Sequence, residues 1–393
     1  MGPLSGYRVL DLSRVLAGPW ASQIFADLGA EVIKIERPGK GDDTRAWGPP
    51  FVEASGISAY FCAANRGKKS VTVDMQHPEG QALIKRLAEN ADVVLENFKC
   101  GGLAKLGLGP EDLRTINPRL VYCSITGFGQ TGPYRARAGY DFLMQGMGGL
   151  MSVTGAPDGE PMKAGVAVVD VLTGLYASNA VMAALLERER SGLGQHIDLA
   201  LFDVQIAAMA NQVSSYLVSG EQPPRLGNAH PSIVPYQVFP TQDGHIILAI
   251  GNDDQFARFV TLAGAPGLSQ DARFATNPAR VKHRAVLVPL LEQLLAARTT
   301  KDWTDALEAS GIPGGPINDF ADIDSDPQVQ ARGIFKDLAP GLRGVASPMR
   351  FSRSEVQDNR PPPLLGADTS EVLASILGLS ENEQARLRQD KII

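Results

Sequence analysis

The stretch YRVLDLSRVLAGPWASQIFADLGAEVIKIE, residues 7–36, contains one complete strand–helix–strand unit. Residues 7–12 are short and apolar, residues 18–28 carry apolar side chains at helical spacing with Pro19 near their start, and residues 30–36 alternate in the manner of a strand. Two such strands joined by a helix lie parallel in one sheet. The stretch therefore predicts the start of a parallel α/β sheet.

The same alternation continues through the first third of the chain. Strands are predicted at residues 69–74, 91–96 and 120–125, and helices between them at residues 78–89 and 110–116. Strands separated by helices of this length are typical of a doubly wound, Rossmann-like sheet. The predicted fold class is therefore α/β.

The pattern of predicted secondary structure changes twice in the rest of the chain. A mostly helical part is followed by a smaller α+β part with an Asp-Gly hairpin turn at Asp243, and then by a Pro-rich tail without an obvious core of its own. We predict a large domain over 1–224, a small α+β domain over 225–330, and a C-terminal segment over 331–393 that packs back onto the large domain. Further helices are predicted at 168–190, 201–218, 253–262, 284–296, 300–309 and 369–377, and further strands at 195–199, 235–239, 245–250 and 359–363.

The composition is that of an ordinary globular protein. Of 393 residues, 44% are hydrophobic and 20% are charged, and the net charge is -6. A weakly acidic chain offers no overall attraction to nucleic acid or to a membrane surface. Three cysteines cannot form a disulfide framework, and we expect neither a signal peptide nor an apolar stretch as long as a membrane span. These features predict a cytoplasmic protein without nucleic-acid or membrane partners.

Several common catalytic motifs are missing from the sequence. The five histidines are scattered, without the H-x-x-H or H-E-x-x-H spacing of a metal site. Neither a G-x-S-x-G serine elbow nor a G-x-x-x-x-G-K-[ST] phosphate loop is present. The turn after the first strand, DLSRVLAGP at residues 11–19, has one glycine where a dinucleotide-binding turn has three. The sequence therefore predicts no metal and no bound dinucleotide.

Asp170 is the most unusual carboxylate in the sequence. It lies in GVAVVDVLTG, residues 165–174, between apolar neighbours at the start of a long predicted helix. One interpretation is structural, because Asp is a favoured helix N-cap. The other is catalytic, because a desolvated and oriented carboxylate can act as a nucleophile. The two roles are compatible, and the residues alone leave both open.

Cations cluster in the segments around the ends of the early strands. Ligands of doubly wound folds bind at the carboxyl edge of the sheet, where Arg and Lys side chains could meet phosphates. For any one of these cations, a place on a solvated rim is the alternative interpretation. The cations are Arg14, Arg37, Arg45, Arg66, Lys68, Lys69, Lys99, Lys105 and Arg137.

Stretches in order along nearly the whole chain match one family. They include VLDLSRVLAGP (9–19), GAEVIKIERPGKGDDTR (29–45), NRGKKSVTVD (65–74), DVVLENFKCGGLAKLGL (92–108) and GVAVVDVLTGLYA (165–177). In these stretches the chain resembles the class III CoA-transferases, the group that contains formyl-CoA transferase and carnitine CoA-transferase, together with the related α-methylacyl-CoA racemases.

The resemblance implies an architecture and a mechanism. It implies an interlocked, ring-like homodimer whose large domain is built from both chain ends. It also implies transfer of CoA from an acyl-CoA to a free carboxylic acid, without a metal or a permanently bound cofactor. Asp170 matches the catalytic aspartate, which would attack the donor thioester and pass through an aspartyl anhydride and an aspartyl-CoA thioester.

The resemblance also carries CoA-binding positions onto this chain. They line the stretches that would lie along the adenine, phosphate, pantetheine and thioester parts of CoA. These residues are Leu16, Ala17, Arg37, Val73, Asp74, Met75, Gln76, Asn97, Phe98, Lys105, Arg137, Tyr140 and Asp141.

Departures from the family pattern separate its branches. The racemases have a histidine base where this chain has Tyr140, and a tyrosine is a poor base near neutral pH. Leu16 replaces a glutamine of formyl-CoA transferase, and Asn97-Phe-Lys-Cys-Gly101 replaces a common Asn-Phe-Arg-Pro-Gly. Gly366-Ala-Asp-Thr369 likewise replaces Gly-Glu-His-Thr. Tyr140 favours CoA transfer over racemisation. Leu16, together with Gly251-Asn-Asp-Asp-Gln255 in place of a run of glycines in formyl-CoA transferase, favours an acceptor other than oxalate. The departures at 97–101 and 366–369 leave the role of those segments open.

The acids themselves are left open by the sequence. The small domain resembles that of members that use succinyl-CoA with dicarboxylate or hydroxy-acid acceptors, and His230, Tyr236 and Gln255 are candidates for acceptor choice. For His230, a hydrogen-bonded loop histidine is the alternative. An α-methylacyl-CoA racemase and a CoA-binding protein without turnover stay open as alternative functions.

Overall fold

Six parallel strands form the central sheet of the computed structural model, which describes residues 1–393. The order across the sheet is β3-β2-β1-β4-β5-β6, and all five pairings are parallel. The chain starts in the middle, runs outward to one edge, and then returns past β1 to build the other half. The strands are β1 (Arg8–Asp11), β2 (Glu31–Glu36), β3 (Lys69–Thr72), β4 (Val93–Glu96), β5 (Val121–Thr126) and β6 (His196–Ala200). The predicted α/β sheet is thus confirmed.

Buried side chains on both faces of the strands explain why helices cover the sheet on two sides. Neighbouring residues point to opposite faces of a strand, yet Val9 and Leu10 are both buried, as are Val93 and Val94. A strand with no polar face needs apolar partners on both sides of the sheet.

Helices fill the connections of the whole chain. They are α1 (Ala17–Asp27), α2 (Ala59–Cys62), α3 (Pro78–Glu89), α4 (Pro110–Ile116), α5 (Asp141–Met147), α6 (Leu150–Val153), α7 (Val168–Ser191), α8 (Leu201–Ala208), α9 (Ala210–Ser219), α10 (Asp253–Leu262), α11 (Asn277–Lys282), α12 (Arg284–Leu295), α13 (Thr300–Ala309), α14 (Phe320–Ser325), α15 (Pro327–Ala331), α16 (Thr369–Leu377) and α17 (Glu381–Gln389). Short 3₁₀ turns lie at Asp43–Ala46, Ala104–Leu106 and Pro266–Ser269.

The two faces of the sheet have different helical covers. The face that carries Val9 packs against α1 and α7, whose Phe25 and Val181 are buried in the same cluster. The face that carries Leu10 packs against α3 and against the C-terminal helices, which contribute Leu373 to the other cluster. The first and the last parts of the chain therefore share one core.

The chain divides into two compact units. The first comprises Met1–Leu150, Lys163–Val218 and Pro327–Ile393, and the second comprises Met151–Met162 and Ser219–Asp326. The bounds 1–224, 225–330 and 331–393 stay a prediction. The main stretch of the second unit starts at Ser219 instead of residue 225. The unit also includes Met151–Met162, which were predicted to belong to the large domain.

An antiparallel sheet organises the second unit. Strands β7 (Tyr236–Pro240), β8 (His245–Ala249) and β9 (Gly314–Pro316) pair in that order. Asp243 in the β7–β8 turn accepts hydrogen bonds from the backbone and hydroxyl of Thr300 at the start of α13. A separate apolar core forms between this sheet and the helices α10–α13.

Two sequence expectations about elements were wrong. Residues 359–363 form no strand, and the late sheet is instead a hairpin of β10 (Phe335–Ala339) and β11 (Leu342–Val345). In addition, α7 is long and apolar enough to cross a membrane by length and composition alone, although no such stretch was expected. Core helices meet the same criterion, and α7 packs against α1 and β5.

Candidate active site

Two neighbouring cavities open at the carboxyl edge of the sheet, where the order reverses between β1 and β4. The larger, here called the Asp170 cavity, has a volume of about 180 Å³ and lies between the segments that follow β1, β4 and β5 and the first turn of α7. The smaller, here called the Arg37 cavity, has a volume of about 80 Å³ and lies beside the ends of β2 and β3. Arg14, Asp43 and Phe98 line both cavities, which are therefore adjacent. A topological switch point is where doubly wound folds bind ligands.

Asp170 is a half-buried carboxylate at the wall of the larger cavity. Burial, and secondly the negative charge of Asp141, raise its pKa to about 7. The carboxylate has no hydrogen-bond or ion-pair partner in the structure, which is unusual for a buried charge. When ionised, this carboxylate therefore lacks the partners that would make it less reactive.

Asp170 does not cap α7, so the purely structural interpretation of this residue was wrong. It is the third residue of the helix, and Ala167 occupies the N-cap position without a capping side chain. The cap is supplied from elsewhere: Oδ1 of Asp141 accepts a hydrogen bond from the Val169 N–H at 2.8 Å. Asp141 lines neither cavity and makes this local contact, and its predicted contact with CoA stays a prediction.

The loop after β1 forms another wall and is held in a strained conformation. Val15 has φ of 70°, which a β-branched residue rarely adopts. Its N–H lies 3.3 Å from both carboxylate oxygens of Asp42, and Asn97 exchanges two hydrogen bonds with the backbone of Arg14. The surroundings therefore impose the loop geometry, as expected where strain persists at a functional site.

Asp42 is held in place by a buried ion pair with Lys34. Nζ of Lys34 lies 2.9 Å from Asp42 and also donates to the carbonyl of Ser13 at 2.8 Å, and both charged side chains are fully buried. Burial alone would lower the pKa of Lys34, but Asp42 and Asp11 outweigh it and raise that pKa above its usual value. The pair stays ionised and anchors the floor of the site.

Two glycines let the backbone close around the larger cavity. Gly127 follows β5, and Gly139 precedes α5. A Cβ at Gly127 would come within 2.7 Å of the Cα of Gly139, and a Cβ at Gly139 would come within 2.5 Å of Gly127. No side chain fits at either position without moving the wall.

The structure divides the predicted CoA-binding residues between the two cavities. Leu16, Ala17, Asn97, Phe98, Arg137 and Tyr140 line the Asp170 cavity together with Asp170. Arg37, Val73, Asp74, Met75, Gln76 and again Phe98 line the Arg37 cavity. Lys105 is exposed and lines neither of them.

The predicted cation cluster separates into ligand-facing and structural members. Arg45, Arg66 and Lys68 are mostly or fully buried in ion pairs with Glu36, Asp27 and Asp11, and are not free for a ligand. Lys69 pairs with Glu31 and Glu371. The cations that do line the cavities are Arg14, Arg37, Lys99 and Arg137.

Sequence reasoning missed three polar residues near the site. Arg135 lines the Asp170 cavity, and Lys40 lines the Arg37 cavity. Tyr60 of α2 lies close enough to Asp170 for that charge, after burial, to raise the tyrosine pKa. Lys40 falls in a quoted family stretch and could have been found there, whereas Tyr60 lies in a segment without a recognisable pattern.

Arg137 is fixed in place by aromatic rings. Its guanidinium lies 4.6 Å from the ring centre of Tyr134 and 5.2 Å from that of Phe128. Stacking of this kind occupies the face of the guanidinium and leaves its N–H groups in the plane available for an anion. Its one polar side-chain contact is a long one, 3.9 Å to the sulfur of Met147.

The candidates for acceptor choice lie in the second unit. The rings of His230 and Tyr236 contact each other at an angle of 59° with centres 5.4 Å apart, and the backbone N–H of His230 donates to the Tyr236 carbonyl at 2.9 Å. The side chain of Gln255 accepts from the Gly251 N–H at 2.8 Å. Each thus has a local structural contact, and their role with an acid stays a prediction.

Comparisons with known proteins agree with one another. The family model for CoA-transferase family III matches residues 4–369. A succinate–glutarate CoA-transferase from Agrobacterium fabrum is 53% identical over 95% of this chain and 96% of its own length. A human succinyl-CoA:glutarate CoA-transferase is 44% identical over 95% of this chain and 86% of its own length. The crystal structure of a CAIB/BAIF family protein from Brucella suis matches 95% of this chain and 99% of that chain with 51% identity and a TM-score of 0.87.

Proposed function

Because the chain belongs to CoA-transferase family III and moves CoA between an acyl-CoA and a free carboxylic acid, we propose that Asp170 is its nucleophile and that both acids are dicarboxylic, with succinyl-CoA as a donor. The main support for Asp170 as the nucleophile is that its carboxylate lies in the cavity wall, desolvated and without a hydrogen-bond partner. An ionised carboxylate without hydrogen bonds is a stronger nucleophile than a solvated one.

The reaction proceeds by alternate exchange of the acyl group and CoA on one carboxylate. An Asp170 oxygen attacks the thioester carbonyl, the C–S bond breaks, and CoA leaves as a thiolate from a mixed anhydride. The thiolate then attacks the Asp170 carbonyl carbon, which releases the donor acid and leaves an aspartyl-CoA thioester. The acceptor carboxylate attacks that thioester, and the returned thiolate takes the acceptor acyl group and frees Asp170. Each step exchanges one activated acyl group for another, so no ATP is consumed.

The Arg37 cavity suits the nucleotide half of CoA. Arg37 and Lys40 line it and are exposed, and Arg14 lies where the two cavities meet. Guanidinium and ammonium groups are the usual partners of phosphates. A CoA molecule with its phosphates at these cations would extend its pantetheine arm from one cavity into the other.

Two observations support a dicarboxylic acid. The relatives reported above are named for succinate and glutarate. The Asp170 cavity also holds Arg137, an oriented guanidinium with no carboxylate partner, and a second exposed arginine, Arg135. A second carboxylate on the substrate would find a cation there, whereas a monocarboxylic acid would leave it unused.

A racemase is the weaker alternative, because inversion at an α-carbon needs one base that removes the proton and a second group that returns a proton from the opposite side. Tyr140 occupies the position of the second base, its side chain is exposed, and a phenol is a poor base near neutral pH. A CoA-binding protein without turnover is weaker still, because Asp170 and its cavity are in place.

We further propose an interlocked homodimer in the cytoplasm. The outer face of α7 carries exposed Leu175, Tyr176 and Leu186, and the end of α9 carries exposed Leu217 and Val218. Apolar surface of this extent on a single chain is typical of a protein interface. A second copy of the chain would cover it.

The nucleophile can be trapped chemically. The protein is incubated with succinyl-CoA and hydroxylamine, and the product is digested and mapped by mass spectrometry. A hydroxamate is expected on Asp170, since hydroxylamine intercepts the anhydride or the thioester. Asp170→Ala and Asp170→Asn should lose transfer of CoA from succinyl-CoA to glutarate while they still bind CoA. Full turnover by either variant would disprove the mechanism.

A further inference from the structure

The segment that enters α7 is held by two side chains of α5. Asp141 accepts the Val169 N–H with Oδ1 and the amide of Gln145 with Oδ2, the latter at 2.7 Å. Gln145 is fully buried, and its Oε1 accepts the Ala164 N–H at 2.8 Å. One residue pair on one helix therefore fixes both ends of the 164–169 segment.

The position of Asp170 depends on this pair, because Asp170 directly follows Val169. The N-cap residue, Ala167, has no side-chain acceptor for the free N–H groups of the first turn. Without Asp141 the Val169 N–H would lose its partner, and the first turn of α7 would be free to fray. The carboxylate that faces the cavity is carried by this turn.

The charge of Asp141 also bears on the reaction itself. Asp141 is close enough to raise the pKa of Asp170, in addition to the effect of burial. When Asp170 is acylated, a C–O bond forms, the C–S bond breaks and the negative charge leaves on the CoA sulfur. The repulsion between the two carboxylates is then relieved. A neighbouring anion therefore disfavours the free carboxylate relative to its acylated, neutral form.

Other titratable and charged groups surround Asp170 and contribute to the electrostatic potential at its carboxylate. Tyr60 approaches from α2, and burial together with the charges of Asp170, Asp141 and Asp42 raises the pKa of its phenol above the usual value, so it carries no charge near pH 7. The cavity wall contributes Arg14, Lys99, Arg135, Arg137 and the carboxylate of Asp43. Asp141 is the one anion that both affects the pKa of Asp170 and touches the helix turn that carries it.

We propose that Asp141 is a positioning residue for Asp170: with Gln145 it holds the first turn of α7, and its negative charge promotes transfer of the Asp170 charge to the leaving thiolate. The proposal rests on Asp170 being the nucleophile. It gives Asp141 a role away from CoA, unlike the contact that the family resemblance implied.

Three variants separate the two parts of this role. Asp141→Asn keeps an oxygen for the Val169 N–H but removes the charge, Gln145→Met keeps the charge but releases Ala164, and Asp141→Ala removes both. Transfer from succinyl-CoA to glutarate is measured from pH 5 to 9 for each variant, with Asp158→Asn, an exposed loop carboxylate, as the control. CoA binding and thermal unfolding verify that each variant is folded.

The expected results differ in kind. The acidic limb of kcat/KM should move to lower pH in Asp141→Asn, because loss of a nearby anion lowers the pKa of Asp170. In Gln145→Met the limb should stay in place while kcat falls. Asp141→Ala should show both changes, with kcat lower by roughly 10- to 100-fold from misplacement of the carboxylate. KM for the acyl-CoA should change little in all three, since neither residue lines a cavity.

Two failures can be told apart. If the wild-type protein gives no hydroxamate on Asp170, the proposed nucleophile is wrong and the role of Asp141 falls with it. If the wild type does give the adduct, but Asp141→Asn keeps the wild-type acidic limb or the loss in Asp141→Ala lies entirely in KM, only the positioning role is overturned. Asp141→Asn keeps the proposal testable even if Asp141→Ala fails to fold.

Discussion

At Asp170, the burial that favours reactivity of the carboxylate lowers the stability of the folded protein. Its pKa of about 7, against an ordinary 3.8, means that the fold disfavours the ionised side chain. An anion destabilised by burial gains by bonding to an acyl carbon, which is the step that the proposed reaction requires. The same burial costs the folded state stability whenever the group is ionised.

This opposition predicts the pH dependence of an Asp170→Asn variant. A carboxyl whose pKa is raised on folding costs nothing well below pH 3.8, where it is protonated in both states. Its cost to the stability of the fold grows as the pH rises from about 4 to about 7 and stays constant above pH 7. At pH 8 the variant should therefore be more stable than the wild type, by up to about 4 kcal/mol. Thermal unfolding at pH 4 and pH 8 measures the difference, with the exposed Asp158→Asn as control. Equal stabilities at pH 8 would contradict the raised pKa.

The turnover of the wild type should depend on ionisation of the same carboxyl group, but it should increase with pH whereas the stability decreases. Because only the ionised carboxylate attacks, kcat/KM should rise through pH 7 and level off above it. The activity therefore gains over the pH range in which Asp170 costs the fold stability.

Arg137 carries the prediction on substrate choice. Removal of its guanidinium should reduce the preference for glutarate over its neutral-ended analogue glutaramate, by roughly 10-fold or more, because a charge-assisted hydrogen bond is lost with one acid and not with the other. The ratio of kcat/KM for the two acids in wild type, Arg137→Met and Arg137→Lys measures this, with Lys expected to restore part of the preference.

A matched variant of the second arginine completes this experiment. Arg135→Met removes the same charge from the same cavity, but Arg135 has no stacked position, so its effect on the ratio should be smaller. If Arg137→Met lowers turnover with both acids equally, the guanidinium binds CoA instead of the distal carboxylate.

Sequence reasoning identified Asp170 and placed Asp141 at the site, but it did not predict the contact between Asp141 and the start of α7. The apolar neighbours of Asp170 are visible in the sequence, and they predict a desolvated carboxylate. The cap of α7, the helix that carries Asp170, comes from Asp141. Asp141 lies 28 residues before Val169, and only the fold brings its carboxylate to the Val169 N–H. Similarly, nothing in the sequence distinguishes Arg45 and Arg66, which are paired with Glu36 and Asp27 and largely buried, from the exposed arginines of the cavity.

At the scale of elements, the loop between β1 and α1 depends on the buried pair of Lys34 and Asp42. Lys34→Met should lower the free energy of unfolding by about 3–5 kcal/mol, because it leaves a buried carboxylate without its partner. It should also weaken CoA binding, since Val15 would lose the support that keeps its left-handed conformation. Urea unfolding and CoA titration test the two effects.

An exposed ion pair provides the control for this experiment. Lys301 and Asp305 are an i,i+4 pair in which both side chains are mostly exposed. Lys301→Met should change the free energy of unfolding by less than about 1 kcal/mol. An equally small effect of Lys34→Met would mean that the buried pair does not hold the loop.

The elements that were predicted correctly are those with a strong local pattern, either a short apolar run or a helix-start signal. The early strands have buried residues on both faces, and α3 begins with Pro78 just after His77, as helix starts commonly do. The expected strand at 359–363 failed because consecutive prolines have no N–H groups to donate to a neighbouring strand. The β10–β11 hairpin was missed because its short strands are only partly buried and lack a clear alternation of apolar residues.

For the whole molecule, the proposed interlocked dimer predicts a lack of subunit exchange. Two threaded rings cannot separate without unfolding, so tagged and untagged proteins mixed in the native state should yield no mixed dimers over days. The same mixture, unfolded in denaturant and refolded together, should yield them. Affinity capture followed by mass spectrometry measures both. Mixed dimers formed in the native state would contradict the threading, and a monomer by light scattering would contradict the dimer.

The place of residues 151–162 was the part of the domain organisation least accessible from sequence. The large unit collects three separate stretches of chain, and the second unit takes in 151–162 as well as its main stretch. Composition and local pattern describe neighbours along the chain, whereas these associations depend on contacts between residues far apart in sequence. The shared apolar core that joins Leu10 to Leu373 is of this kind.

One wall of the Arg37 cavity depends on a residue more than 300 positions later in the chain. Ile392 lies in the same core cluster as β3, and its carbonyl accepts the N–H of Asp74, which lines the cavity. Removal of residue 392 would leave this N–H without its acceptor and β3 without an apolar neighbour. A change in the last helical part of the large unit would therefore affect the cavity.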